Sequence, residues 1–184
     1  MSILSNRFSE AKKEAGDYTR ALLDLLDDRD PIAVLEKTPS ELTQLTARVP
    51  RDDIARPEAQ GKWSMLHVLC HLADSELVWG YRVRRILAED RPPIRGYDQD
   101  RWAERLHYER ADAEEALAEI RALRAGHTRL LRALGPAERK RVGVHSERGE
   151  ESIEHLTRMM AGHDILHLNQ LGRIKTRLGI EAKA

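Results

Sequence analysis

The 184-residue sequence holds one cysteine and one phenylalanine, and aromatic residues make up 4% of it. A lone cysteine cannot form a disulfide within the chain, so Cys70 is expected as a small core residue of a protein from a reducing compartment. The cytoplasm is the expected location. No run of about 18 apolar residues occurs, which excludes an ordinary membrane-spanning helix. Met1 to Phe8 lacks the apolar stretch of a secretory leader. Neither sign of charge dominates: 31 Lys and Arg balance 31 Asp and Glu. Without a basic block, the electrostatic footprint of a nucleic-acid or membrane-surface binder is missing. The densest cationic cluster, Arg82, Arg84 and Arg85, is expected as a solvated helix face. There is no internal repeat, no low-complexity segment, and few long β-branched runs.

What is present favours helices. Leucine, alanine, arginine and glutamate dominate, and the length fits one domain, residues 1–184, with a sizeable core. Phe8, Ala11, Ala15, Tyr18, Leu22, Leu25 and Leu26 predict an amphipathic helix from about Ser9 to Asp28. Asp30-Pro31 stops it and starts a short segment. Thr38-Pro39 is expected to cap and open a short helix carrying Leu42, Leu45 and Val49. Pro50 to Gly61 reads as a polar loop. Ser64 caps a second long helix with the stripe Met65, Leu69, Leu72, Trp79, Val83, Ile86, which Arg91-Pro92-Pro93 ends. A third helical region covers Arg101 to Leu134, with a break near Tyr108 and Gly135 as its C′ residue. Arg141 to Glu151 is a crossover with brief strand character. Four long amphipathic helices with one or two longer connections make an all-α four-helix bundle.

The last helix, Ser152 to Leu178, organises the rest. Its apolar side runs Ile153, Leu156, Met160, His163, His167, Leu171, Ile174, Leu178, at intervals of 3, 4, 3, 4, 4, 3 and 4. Two histidines stand where apolar residues belong, one turn apart. Inward imidazoles at that spacing either hydrogen-bond separately in the core or hold one metal ion together. Bundles build metal sites from facing helices, so a third ligand is sought elsewhere. His67 and His155 occupy the third position of their helices, behind Ser64 and Ser152, which reads as helix capping. His155 also lies about 12 Å along the axis from His163. His145 falls in a loop. His127, inward-facing on the third helix, and His71, in the second turn of the second, both remain open on spacing alone.

The pattern Lys62-Trp63-Ser64, His71-Leu72-x-Asp74-x-Glu76 and, far downstream, Gly162-His163-Asp164-x-x-His167-x-x-Gln170 resembles the DinB/YfiT-like superfamily of metalloenzymes. Gly80-Tyr81-Arg82, Pro92-Pro93, Tyr97-Asp98-Gln99-Asp100 and His145-Ser146-Glu147-x-Gly149-Glu150 extend the likeness from about Trp63 to the final helix. The resemblance implies an up-down-down-up bundle with long crossover connections. It also implies a divalent metal, zinc or nickel, held by His71, His163 and His167, with His67 and His127 matching no ligand position.

Three neutral imidazoles leave a coordination position open, as catalytic sites do. The resemblance implies either a metal-dependent hydrolase or an S-transferase that uses a low-molecular-weight thiol. The alternative from a different class is a non-catalytic metal- or ligand-binding stress-response bundle. Asp74 and Glu76 are the candidate general bases, and Asp164 and Gln170 are further candidates for orienting the imidazoles. Glu76 falls on the second helix's apolar stripe, so a partner is expected for it if it is buried. Tyr81, Tyr97, Trp102 and the arginine cluster are candidates for lining a substrate mouth, with core packing expected ahead of substrate contact for Trp63, Trp79 and Trp102. A small-molecule substrate is expected, with no nucleic acid and no membrane, and the resemblance makes a homodimer the expected assembly.

Overall fold

A computed structural model describes residues 11–180, with side chains from residue 16 onward. Phe8 and the predicted helix start at Ser9 lie outside the described residues. The long helices are α1 (Ala11–Leu26), α2 (Pro31–Thr46), α4 (Met65–Ala88), α6 (Ala113–Ala133) and α8 (Ile153–Arg177), joined by the short α3 (Arg51–Ala55), α5 (Gln99–Arg105) and α7 (Pro136–Arg139). A three-stranded sheet, β1 (Pro93–Ile94), β2 (Val142–His145) and β3 (Gly149–Ser152), covers one end. No helix among the described residues is long and apolar enough to cross a membrane.

The four-helix bundle consists of α2, α4, α6 and α8. Contacts give the directions. Arg132 pairs with Glu36 and Arg121 reaches Thr43, so α2 and α6 are antiparallel. Lys175 reaches the Leu45 carbonyl while Thr38 acts on Asp164, so α2 and α8 are parallel. Glu76 meets Arg124 and Gly80 abuts the His127 ring, so α4 and α6 are parallel. The result is up-down-down-up, with the long connections that this order requires. Helix α1 lies outside the four, antiparallel along α8, with the Arg158 guanidinium on the Asp27 carbonyl.

Local chemistry explains most element boundaries. Ser64 and Ser152 accept from the backbone N–H groups of His67 and His155, which caps α4 and α8 as their sequences predict. The last helix's stripe from Ile153 to Ile174 is buried throughout. Three details differ from the sequence reading. Asp30 caps a 16-residue helix, with Pro31 in its first turn, rather than a short segment. Pro39 is therefore inside α2, and Thr38 does not cap: its hydroxyl donates to the Val34 carbonyl. Gly135, with φ −74°, is the N-cap of α7 instead of a left-handed helix end. The crossover forms a β2–β3 hairpin, and β1 joins β2 in parallel through Pro93↔Val144 and Ile94↔His145.

A proline in a helix interior removes the N–H that would satisfy the carbonyl four residues back. Here that carbonyl is Leu35's, and the guanidinium of Arg124 on α6 donates to it at 2.6 Å. The break in α2 is thus used for a contact between helices.

Gly162 sets how closely α1 approaches α8. A Cβ at this position would lie 2.1 Å from the Leu22 carbonyl oxygen and 2.7 Å from its carbon, and backbone cannot yield as a flexible side chain does. Gly162→Ala is expected to destabilise the protein by roughly 1–3 kcal/mol, as overpacking of a close helix contact does. Urea unfolding measures this; an unchanged midpoint would show that α1 does not need the close approach.

Candidate metal centre

His71 sits in the second turn of α4, and His163 and His167 sit one turn apart in the middle of α8. All three are buried, His71 to 1% exposure. Their Nε2 atoms converge: His71 to His163 is 3.0 Å and His167 to His163 is 3.2 Å. Ligand nitrogens at about 2.0–2.1 Å from a tetrahedral ion lie about 3.3–3.4 Å from one another. The donor set therefore fits a divalent cation in spacing as well as in chemistry. The group His71, His163, His167 is the one cluster of metal-ligating side chains found among the described residues.

The imidazoles are held neutral. Burial, reinforced by the neighbouring His167, keeps His71 well below the ordinary histidine pKa. Burial and the charges of His167, His71 and Arg124 do the same to His163. Burial pushes His167 down to about 4. Gln170 fixes one tautomer. Its Oε1 lies 2.7 Å from His167 Nδ1, so that nitrogen donates and Nε2 presents its lone pair to the cluster. His71 is steadied by packing: Trp63 lies against its ring at 5.0 Å between centroids, while His71 Nδ1 has no hydrogen-bond partner.

Beside the histidines lies a buried charged network. Arg124 donates to Glu76 through Nε (2.7 Å) and Nη2, and to Asp164 through Nη1 (2.6 Å) and Nη2 (3.1 Å). The second Glu76 oxygen pairs with His127 Nδ1 at 2.8 Å. His127 and Arg124 hold Glu76 below the usual carboxylate range although burial opposes them. Burial raises Asp164 despite Arg124. Gly80 leaves room for the His127 ring, whose Nε2 is 1.9 Å from where a Cβ would stand.

Among the residues singled out from sequence, His71, His163, His167 and Gln170 come together, and Glu76, Asp164 and His127 meet around Arg124. Asp74 stands apart from that network, accepting from the Tyr108 hydroxyl, with its carboxyl pushed up by burial. The Tyr97 hydroxyl and Ser75 Oγ share a hydrogen bond of 3.2 Å one turn beyond His71. Tyr97 packs on Trp102, whereas Tyr81 is exposed. His67 hydrogen-bonds Ser64 at the α4 cap. Burial pushes the Cys70 thiol up to about 12, so it is an inert core thiol at neutral pH.

Two residues went unread in the sequence. Arg124 continues the α6 sequence Leu117, Ile120, Arg124, His127, Leu131 at intervals of 3, 4, 3 and 4, the same signal that exposes His163 and His167. Arg82, grouped with Arg84 and Arg85 as a solvated face, is buried, while Arg84 is exposed as expected.

The profile of the DinB superfamily matches residues 34–171. The chain belongs to the DinB superfamily. A Bacillus subtilis relative named "Putative metal-dependent hydrolase YfiT" is 30% identical over 149 residues, covering 80% of this chain and 84% of its own. A relative of the same functional name from Oceanobacillus iheyensis is 31% identical over 134 residues, 73% of this chain and 77% of its own. The solved structure of Bacillus subtilis YfiT, described as "a probable metal-dependent hydrolase with an unusual four-helix bundle topology", superposes with a TM-score of 0.77 at 29% identity, covering 82% of this chain and 87% of that one. In this DinB member the match begins within α2, the first bundle helix, and leaves out α1.

Arg124→Met leaves Glu76 and Asp164 buried without their cation, and is expected to cost about 3–5 kcal/mol in chemical denaturation. A loss under about 1 kcal/mol would show that the two carboxylates find other partners. In the metal-free protein, the folded imidazoles titrate below the ordinary value of about 6.5, so the unfolded chain binds more protons beneath that pH. Stability is then full above about pH 6.5 and falls as pH drops toward the folded value of about 4 for His167. Thermal unfolding between pH 7 and 5.5 measures this, and a flat midpoint would contradict neutral, buried imidazoles.

Proposed function

We propose that this DinB member is a metal-dependent hydrolase of a small molecule, with a divalent zinc or nickel ion on His71, His163 and His167. The observation that carries the reading is the convergence of three buried neutral Nε2 atoms within 3.0–3.2 Å contacts, donated by two facing helices. The names of the relatives support hydrolysis as the reaction. When bound, such an ion supplies Lewis-acid activation of water and of a substrate oxygen at its open position.

The chain's own residues would then divide the work. Gln170 orients the His167 ring through Nδ1. Arg124, bound to Asp164 beside His163 and to Glu76 on the helix of His71, holds the two ligand-bearing helices in register. Glu76 is assigned to this support rather than to proton transfer, because both its oxygens are engaged and Arg124 stabilises its charged form. Asp74, three residues after His71 and raised by burial, is left as the proton acceptor of the pair. The Ser75 and Tyr97 hydroxyls supply hydrogen bonds one turn from His71. Burial among helices keeps bulk water from the imidazoles.

Elemental analysis of purified protein tests the reading. About one ion per chain is expected in the wild type and in His155→Ala, with loss in His71→Ala, His163→Ala and His167→Ala. Retention in His71→Ala, or no ion after zinc or nickel is added back, would overturn it. Turnover screens with and without a small thiol then separate hydrolysis from S-transfer.

A further inference from the structure

Three described arginines are largely buried, and two have carboxylate partners. Arg124 holds Glu76 and Asp164, and Arg148 forms a two-point pair with Glu151 at 2.5 and 3.0 Å. The third, Arg82 on α4, is 7% exposed and has no carboxylate within ion-pair distance among the described residues. Its Nη2 donates to the Arg95 carbonyl at 2.8 Å, and its guanidinium lies 5.6 Å from the Trp79 ring centre. A guanidinium offers five N–H donors, and a buried charge is normally paired. Burial and the Arg148 charge lower Arg82 only to about 10, so it is a cation at neutral pH.

A buried donor without an acceptor lies near Arg82. His145 ends β2 and is 2% exposed. The backbone N–H of Glu147 donates to its Nδ1 at 3.1 Å. Nδ1 is therefore the acceptor, and the ring hydrogen is on Nε2, which is buried with no hydrogen-bond partner. Burial and Arg148 push His145 down to about 4, so this neutral tautomer persists at working pH. His145 pairs with Ile94 in the β1–β2 register, and the next carbonyl, Arg95's, is the one holding Arg82. The Arg82 charge is felt at His145, and Glu147 and Glu151 act on Arg82 only from a distance.

A buried ring N–H without an acceptor, beside a buried cation whose one printed hydrogen bond goes to a neutral carbonyl and which has no described carboxylate within ion-pair distance, marks a place for an anionic oxygen pair. We propose that Arg82 and His145 Nε2 form a subsite for a carboxylate of the small molecule turned over at the three histidines. This rests on the reading of those histidines as the reaction centre. The planar donor fork beside a single ring N–H matches a carboxylate; a phosphate dianion would call for more donors and more charge. Tyr97 and Ser75 lie between this subsite and the histidines. Tyr97, two residues beyond Arg95, shares its hydrogen bond with Ser75, and Ser75 is one turn from His71. His71, Ser75 and Arg82 are spaced 4 and 7 residues apart on one face of α4. Arg82 is thus about 16 Å along the axis from His71, so the carboxylate is at the far end of the substrate from the bond that reacts.

The test uses the full metal-free chain with ¹⁵N-labelled histidine, so it is independent of turnover. Propionate, propionamide and inorganic phosphate are titrated at constant ionic strength, and the ring Nε2–H resonance that is missing in His145→Gln is followed. Propionate is expected to shift it saturably and propionamide to leave it unmoved. Arg82→Gln is expected to weaken propionate roughly tenfold or more, and Arg82→Lys less. The wild-type contrast between acid and amide stands even if a variant fails to fold. No saturable shift, an equal shift with propionamide, unchanged affinity in Arg82→Gln, or phosphate binding more tightly than propionate would overturn the assignment. Metal content is measured separately on the same protein. Metal without propionate binding sinks the subsite alone, and propionate binding without metal sinks the hydrolase reading alone.

Discussion

One buried guanidinium ties the bundle together. Arg124 projects from α6 and bonds to the other three bundle helices: the Leu35 carbonyl of α2, Glu76 of α4 and Asp164 of α8. Each contact answers a need that would otherwise destabilise the fold. Pro39 leaves the Leu35 carbonyl without its helical donor, and two carboxylates are buried to within a few per cent of complete. Removing a cation from such a set costs more than the set contributes when whole, because orphaned buried charges are expensive. The network therefore specifies one arrangement of four helices more strongly than apolar packing alone would. A slip of any helix by one turn, about 5.4 Å, would break charged bonds as well as misalign side chains.

That specificity bears on the histidines because the same residues flank them. Asp164 follows His163, and Glu76 lies five residues beyond His71. Three ring nitrogens from two helices converge only if α4 and α8 keep their relative height, and Arg124 bridges these helices at the neighbouring layer. The network also sets the local field. With Glu76 held in its charged form, the net charge beside the imidazoles is small, and the Arg124 charge adds to burial in keeping His163 neutral. The helices are thus joined by charge without protonating the rings.

Much of this was legible in sequence, where helical periodicity carries the information. The serine caps, the buried stripe of α8 and the two inward histidines follow from spacing of 3 and 4. Identifying His71 required the resemblance to the DinB family, because a ligand on another helix has no fixed sequence distance from His163; His127 met the same inward-facing criterion. The structure gives His127 a partner in Glu76, the one that burial of that carboxylate demanded. Pro39 was misread because a proline inside a helix is ordinarily costly, and its compensation comes from a residue 85 positions away, Arg124 against Pro39. Arg124 and Arg82 were missed for a shared reason. A long cationic side chain at a core position is usually taken to reach solvent, and periodicity does not reveal whether an acceptor waits inside.

The charge on the ligands finally bears on which substrates the site favours. Sites with carboxylate or thiolate ligands cancel part of an ion's charge. Three neutral imidazoles cancel none, so a divalent ion bound here would keep its full positive charge in a dry environment, where electrostatic interactions are strong. At the other end of the same α4 face, Arg82 is a cation hydrogen-bonded to a neutral carbonyl, with Glu147 and Glu151 acting on it only from a distance. Each end of the span marked by Ser75 and Tyr97 would then hold a cation. A neutral molecule would leave the Arg82 charge without an anion beside it, whereas an anionic one would supply that partner while its reactive group meets the ion. On the subsite proposed for Arg82 and His145, selection for anions would come from the buried Arg82 charge rather than from a specific fit along the rest of the substrate.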